Sequence, residues 1–299
     1  MKRGDLFSFI DKQSLRCWFE IISNRIQPMQ TLGNQELSET IRRTMASAAA
    51  ELRRANRVLF ITGAGISADS GLPTYRGVGG LYNTEKTEEG YSIEQCLSAS
   101  MFQARPDITW KYMLQVGKAV IQCRPNPAHE IIAKWEKEFA QRSGKVVVLT
   151  QNIDGYHRLA GSENVLEIHG TLEQIFCTHC MWETTWDLLR KEEWDSAPKC
   201  PKCSAVMRPR IILFEERLPR EVLMQFDEEF DGGNGFDMVF SIGTSAMFPY
   251  IIAPVAAARV VGKTTVEINP TASELSHRAT YPIPLGAAEA MTQLDALFN

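Results

Sequence analysis

Six short apolar, β-branched runs confine this 299-residue chain to few architectures: residues 58–62, 146–150, 165–168, 211–214, 238–242 and 264–268. Their apolar character is continuous rather than alternating. Strands of that kind are buried on both faces, as in a parallel sheet. Helix-patterned segments lie among them at 37–55, 126–142, 218–230, 250–261 and 286–298. The alternation predicts an α/β chain with a doubly wound, Rossmann-like parallel sheet.

Two regions break the alternation. Residues 72–125 are rich in loop signals and contain a helical pattern at 107–121, and residues 171–210 carry two cysteine pairs. The expected organisation is an extension (1–36), a large nucleotide-binding domain (37–170 and 211–299) and a smaller metal-binding lobe (171–210). Within the large domain, 72–125 forms a cofactor loop and helical insertion. Asp5, Asp11 and Glu20 interrupt the apolar residues of the extension before a signal sequence forms, which leaves an amphipathic surface helix as the reading.

Hydrophobic content of 44% and charge of 23% describe an ordinary globular protein, and a net charge of −4 gives no broad basic footprint for nucleic acid. Residues 238–258 carry no charge and could span a bilayer, but Pro249, Pro254 and Gly243-Thr244-Ser245 interrupt them. They read as strand, polar loop and helix. A cytoplasmic monomer without a membrane or nucleic-acid partner is the expectation.

Cys177 and Cys180 form one C-x2-C pair, and Cys200 and Cys203 form another. Two such knuckles at this separation match a tetrahedral structural zinc site. The alternatives are reduced structural cysteines or two disulfides. With four cysteine ligands, no coordination position stays open for catalysis. His179 reads as a bystander, and Cys17, Cys96 and Cys123 as isolated thiols.

After the first apolar run, Gly63-Ala64-Gly65-Ile66-Ser67-Ala68 fits the dinucleotide fingerprint G-x-G-x-x-G/A. A dehydrogenase would place an acidic residue at the end of its second strand. Glu85 is at the right distance but lies in NTEKTEEG, which is no strand. Arg76 is a candidate phosphate clamp. Beyond the second run stand Gln151, Asn152 and Asp154, able to grip an amide-bearing ligand; the alternative for Asn152 and Asp154 is helix capping. His169 follows the third run as a candidate base, with His157 as its rival; His129 and His277 read as structural. Gly243, Thr244 and Ser245 could serve phosphate or ribose, and Glu267 and Asn269 a second ribose. These candidates converge on strand ends of one sheet, where α/β proteins bind ligands.

Together the residues resemble the sirtuin family of NAD-dependent protein deacylases over roughly residues 37–299. The shared motifs are GAGIS, S-G-x-P-x-x-R at 70–76, TQNID at 150–154, HG at 169–170, the four cysteines, GTS at 243–245 and INP at 268–270. The resemblance implies NAD as co-substrate, one structural zinc and acylated protein lysines as substrates. It implies cofactor contacts from Gly63, Ala64, Gly65, Ser67, Tyr75, Arg76, Gln151, Asn152, Ile153, Asp154, Gly243, Thr244, Ser245 and Asn269. It assigns catalytic roles to His169, Asn152 and Asp154, and substrate contacts to His169, Ile212 and Phe214. In the implied reaction the acyl oxygen attacks the ribose carbon as nicotinamide departs, giving an O-alkylamidate. Neutral His169 then helps deprotonate a ribose hydroxyl, and the products are nicotinamide, lysine and O-acyl-ADP-ribose. The loop through Arg76 would cover the reacting ribose.

Departures bear on the substrate. Phe214-Glu215-Glu216 stands where the family has Phe-Gly-Glu. The subgroup that removes acidic acyl groups carries a Tyr-x-x-Arg, and Met113 and Val116 occupy those positions here. An apolar wall there favours acetyl or longer aliphatic chains over succinyl. Two other functions compete. One is mono-ADP-ribosyl transfer from the same NAD site. The other is a non-enzymatic binding module using Lys199, Lys202, Arg208 and Arg210.

Overall fold

The computed structural model describes residues 34–74, 86–185, 197–233 and 235–299. Along the chain, α1 (Asn34–Arg54) leads into β1 (Arg57–Thr62) and a 3-10 turn (Ala64–Ser70). Then come α2 (Ile93–Cys96), α3 (Ala99–Ala104), α4 (Pro106–Gln122), α5 (Pro127–Gln141), β2 (Lys145–Thr150), α6 (Tyr156–Leu159) and β3 (Val165–Glu167). The next elements are β4 (Gly170–Cys177), β5 (Glu183–Thr185), β6 (Met207–Ile211), α7 (Arg220–Phe230) and β7 (Met238–Ile242). The chain closes with α8 (Pro249–Val260), β8 (Thr264–Ile268), β9 (Tyr281–Ile283) and α9 (Ala287–Phe298).

A six-stranded sheet has the order β3-β2-β1-β7-β8-β9 with every pairing parallel. Successive side chains of a strand point to opposite faces. Val58 and Phe60 of β1 therefore join Val146 and Val148 under α1, α5 and α9, while Leu59 and Ile61 join Val147 and Leu149 under α7 and α8. Burial on both faces explains the continuous apolar runs. The chain leaves β1 toward β2 and β3, then returns to the other side of β1 for β7, β8 and β9. The order thus reverses between β1 and β7. A crevice opens at such a reversal, outside the strand C-termini.

One expected strand of this sheet is corrected. Ile211 ends β6, which pairs antiparallel with β4 in a separate three-stranded sheet ordered β5-β4-β6. The rest of that run is irregular: Leu213 is buried in the core of this second unit, and Phe214 bridges Ser98. The sixth strand of the large sheet is β9, which has only three residues. Its Pro282 is tolerated because an edge strand leaves one side unpaired. The expected extension falls in residues outside those described, apart from the first residues of α1.

The uncharged stretch from residue 238 divides into β7, a loop and α8, with Pro249 at the helix start. Among the described residues no helix is long and apolar enough to cross a membrane. The second sheet packs with α2 and α4 around Trp110, Met113, Leu172, Ile175, Met207 and the buried cysteines. The Trp110 indole N–H donates to the Met207 carbonyl at 2.8 Å, which joins the helical insertion to the cysteine lobe.

Candidate active site

The two glycine loops flanking the crevice interlock backbone to backbone. The Gly63 N–H donates to the Ile242 carbonyl at 3.0 Å, and the Gly65 N–H to the Gly243 carbonyl at 2.7 Å. A Cβ at Gly65 would lie 2.6 Å from the Gly243 Cα, and one at Gly243 would lie 2.3 Å from the Ile66 nitrogen. Gly243 also has φ +60°, a conformation other residues adopt at a cost. The two loops can therefore pack against each other only as bare backbone. Thr244 is buried and fixed. Its hydroxyl accepts from the Gln151 amide at 3.0 Å, and its carbonyl accepts from the Asn269 amide at 3.0 Å. Ser245 is exposed beside it.

The segment after β2 is bound to the turn after β1. Asn152 donates from Nδ2 to the Gly63 carbonyl at 3.1 Å and to the Ser67 hydroxyl at 3.2 Å. Ser67 in turn donates to Asp154 Oδ2 at 2.8 Å. The other Asp154 oxygen accepts the Tyr156 N–H at 2.9 Å. Burial raises the Asp154 carboxyl above its usual range. Ile153 faces the small-lobe core, and its carbonyl accepts from Leu172 at 3.0 Å.

His129, read from the sequence as structural, lies directly behind this network. Its Nδ1 accepts the Asn126 N–H at 3.3 Å, so the ring proton resides on Nε2, 3.4 Å from the Ser67 hydroxyl. Burial drives its pKa down to about 4, which keeps it neutral. The signal lay in Asn126-Pro-Ala-His129, a capping box at the start of α5.

His169 follows β3. Its Nδ1 is 2.9 Å from the Gln151 carbonyl, which can only accept, so Nδ1 carries the proton and Nε2 the lone pair. That lone pair accepts from the Tyr250 hydroxyl at 2.8 Å. Burial lowers the His169 pKa, and the imidazole is neutral at neutral pH. Its rival His157 is 2% exposed and hydrogen-bonded by Nε2 to the Thr62 hydroxyl at 2.9 Å, inside the core. Glu267 is also buried, and it accepts from the Ser273 hydroxyl.

The adjoining segment is anchored to His169. The Ile212 N–H donates to the His169 carbonyl at 2.9 Å. Gly170 makes this possible, since at φ +77° a Cβ there would stand 2.0 Å from the Arg210 carbonyl oxygen. Phe214 is exposed. Arg208 lies behind and pairs with both oxygens of Glu216, at 2.6 and 3.0 Å, while Glu216 accepts the Leu213 N–H. Arg210 pairs with Glu183. Two cations of the supposed nucleic-acid cluster are therefore engaged internally. Tyr75 and Arg76 lie outside the described residues.

The sulfurs of Cys177, Cys180, Cys200 and Cys203 all lie within 4.8 Å of one another. Cys177 and Cys203 sulfurs are 3.4 Å apart, and Cys180 and Cys200 sulfurs 3.6 Å. A disulfide needs about 2.05 Å. A zinc tetrahedron with bonds of about 2.3 Å has edges of roughly 3.8 Å, and the cluster fits it. Backbone N–H groups of His179 and Cys180 point at Cys177 Sγ, both at 3.4 Å, as they would toward a thiolate. His179 is not part of the cluster.

Residues 63–249 match the model of the Sir2 family, a span holding both glycine loops, His169 and the four cysteines. The NAD-dependent protein deacylase 2 of Pseudomonas aeruginosa is 45% identical over 252 residues, covering 84% of this chain and 95% of its own. A solved Sir2 homologue in complex with NAD is 30% identical with a TM-score of 0.70, covering 87% of this chain and 93% of its own. A Sir2 structure with a deacetylated peptide and 3′-O-acetyl-ADP-ribose is 26% identical with a TM-score of 0.73, covering 84% of this chain and 97% of its own. By sequence, fold and the residues at its strand ends, this chain belongs to the Sir2 family.

Proposed function

We propose that the chain is an NAD-dependent protein lysine deacylase that acts in the crevice between β1 and β7. The observation that carries the reading is the state of His169: neutral, anchored by Nδ1 to the Gln151 carbonyl at the strand ends, with its one lone pair on Nε2. The glycine turn after β1, packed as bare backbone on Gly243 at the strand ends, has the form in which a dinucleotide fold receives a pyrophosphate. NAD supplies the ribose carbon that receives the acyl oxygen, with nicotinamide as leaving group.

The chain's own residues then divide the work. Thr244, Ser245 and Asn269 hold the phosphate and adenosine side, with Ala64 and Gly65 beside them. Gln151, Asn152, Ile153 and Asp154, with Ser67, border the reacting ribose and its carboxamide. Their mutual hydrogen bonds fix them before ligand arrives, so little ordering is required on binding. Tyr75 and Arg76 complete this set in our reading. His169 takes a ribose hydroxyl proton onto Nε2. Ile212 and Phe214 line the acyl-lysine path, aligned through the Ile212 N–H bond to His169.

Zinc on Cys177, Cys180, Cys200 and Cys203 has a structural role: it closes the lobe that braces the 212–216 segment. Met113 is buried and Val116 packs against the same apolar cluster, which supports acetyl or longer aliphatic chains over acidic ones. We place the work in the cytoplasm, where thiols stay reduced for the metal, and by a single chain. The large domain then comprises residues 37–170 and 211–299, and the small lobe 171–210.

One assay panel tests the reading: acetyl, butyryl, myristoyl and succinyl lysine peptides, each with and without NAD. Free lysine should appear only with NAD, and least with the succinyl peptide. Peptides carrying added ADP-ribose would instead select the transferase.

A further inference from the structure

The atom that must receive the ribose proton already has a partner. Nδ1 of His169 is committed to the Gln151 carbonyl, so Nε2 holds the only lone pair of the ring. The Tyr250 hydroxyl donates to it at 2.8 Å. Tyr250 is half-buried at the start of α8, directly after Pro249. Its ring stacks on Phe248 with centroids 5.2 Å apart and 12° between planes. Both rings meet the imidazole edge to face, with centroids 6.0 Å away. The pair thus covers the Nε2 side of the base.

A phenol hydroxyl and a ribose hydroxyl are the same kind of donor to an imidazole nitrogen. The Tyr250 phenol keeps its proton, since burial raises its pKa to about 12. On the reading of the site given above, both hydroxyls compete for one lone pair. We infer that Tyr250 is an internal stand-in for the ribose hydroxyl: it holds His169 Nε2 until NAD and acyl-lysine bind and displace it. It is therefore a residue that sets affinity for the ribose through the base.

The test uses the full-length zinc-loaded protein without substrate. Diethyl pyrocarbonate acylates a free imidazole lone pair, and peptide mass spectrometry reads each histidine separately. A net hydrogen bond predicts that Tyr250→Phe reacts about three- to tenfold faster at His169 than wild type. Exposed His277 serves as the internal reference and should be unchanged. Tyr250→Ala should react at least as fast as Tyr250→Phe. Equal His169 rates in all three proteins would overturn the inference. So would acceleration in Tyr250→Ala alone, because the ring rather than the hydroxyl would then be the cover.

Calorimetric titration with NAD adds an arm that needs no turnover. Removing an occupant should tighten binding by about the same three- to tenfold factor. A purely structural tyrosine would leave it unchanged or weaken it. Faster labelling in a protein without NAD affinity would remove the deacylase reading and leave the hydroxyl's occupancy of Nε2 established.

Discussion

The large sheet and the cysteine lobe keep their shapes by different means. In the sheet, β1 has five consecutive residues buried and an apolar layer on each face. In the lobe, every residue of β5 is at least partly exposed, and two cysteines belong to the core itself. The sheet can hold a polar network at its strand ends because an apolar layer covers each face. The lobe has few apolar layers, and a metal supplies what burial does not. Under the proposed function the difference separates two tasks: the groups assigned to the reaction stand on the large sheet, and the segment assigned to substrate leans on the lobe that holds the cysteine cluster.

Metal removal is the largest way to break this comparison. A structural zinc in small domains contributes about 10–16 kcal/mol of folding energy. Cys180→Ser should lose the bound zinc, read by elemental analysis. Amide exchange should then accelerate over 171–185 and 197–211 while β1, β2 and β7 stay protected. Deprotection of both units together would show that they do not fold separately.

A smaller effect comes from the reacting groups. His169→Ala should reduce deacylation by roughly 10²- to 10⁴-fold, the usual contribution of a general base, with zinc content and thermal midpoint unchanged. Near-wild-type turnover would remove its role.

Acid should weaken the fold through its buried histidines. His129 is held down to about 4 from the ordinary 6.5. Between those values the unfolded chain binds the proton and the folded chain does not. Stability is therefore lost as pH falls from 6.5 to 4, by about 3 kcal/mol from this residue. Above 6.5 it has no such effect. Urea midpoints of wild type and His129→Asn at pH 7.5 and 5 read this directly. The variant should show the smaller drop.

The smallest effect concerns Glu215. Its carboxylate accepts the Ser100 N–H at 3.0 Å and the Ser100 hydroxyl at 3.1 Å, at the start of α3. Its backbone has φ +74°, a conformation suited to the glycine of the family pattern. Glu215→Ala loses the helix-end contacts and keeps the strain, costing about 1 kcal/mol. Glu215→Gly offsets that loss with relief of strain and should be nearly neutral in thermal midpoint. Equal destabilisation by both would place the whole effect in the carboxylate.

What the sequence revealed follows the same division. The central strands were legible because burial on two faces leaves an unbroken apolar run. Residues 211–214 misled because their apolar side chains serve a different core, where Ile211 and Leu213 are both buried. Strand β9 was too short and too exposed to stand out. Asn152, Asp154, His169 and the four cysteines were legible as strand-end polar groups and as metal spacing. His129 and Tyr250 were not, because each lies on a helix and meets its partner only when α5 or α8 packs onto the sheet.

The central claim is that this crevice transfers an acyl group from lysine to the ribose of NAD. Its most direct measurement follows a peptide with an isotopically labelled acetyl-lysine by mass spectrometry in the presence of NAD. The account predicts one labelled O-acetyl-ADP-ribose and one nicotinamide for each lysine freed. Label released as free acetate with NAD intact, or retained on a peptide that has gained ADP-ribose, would contradict it.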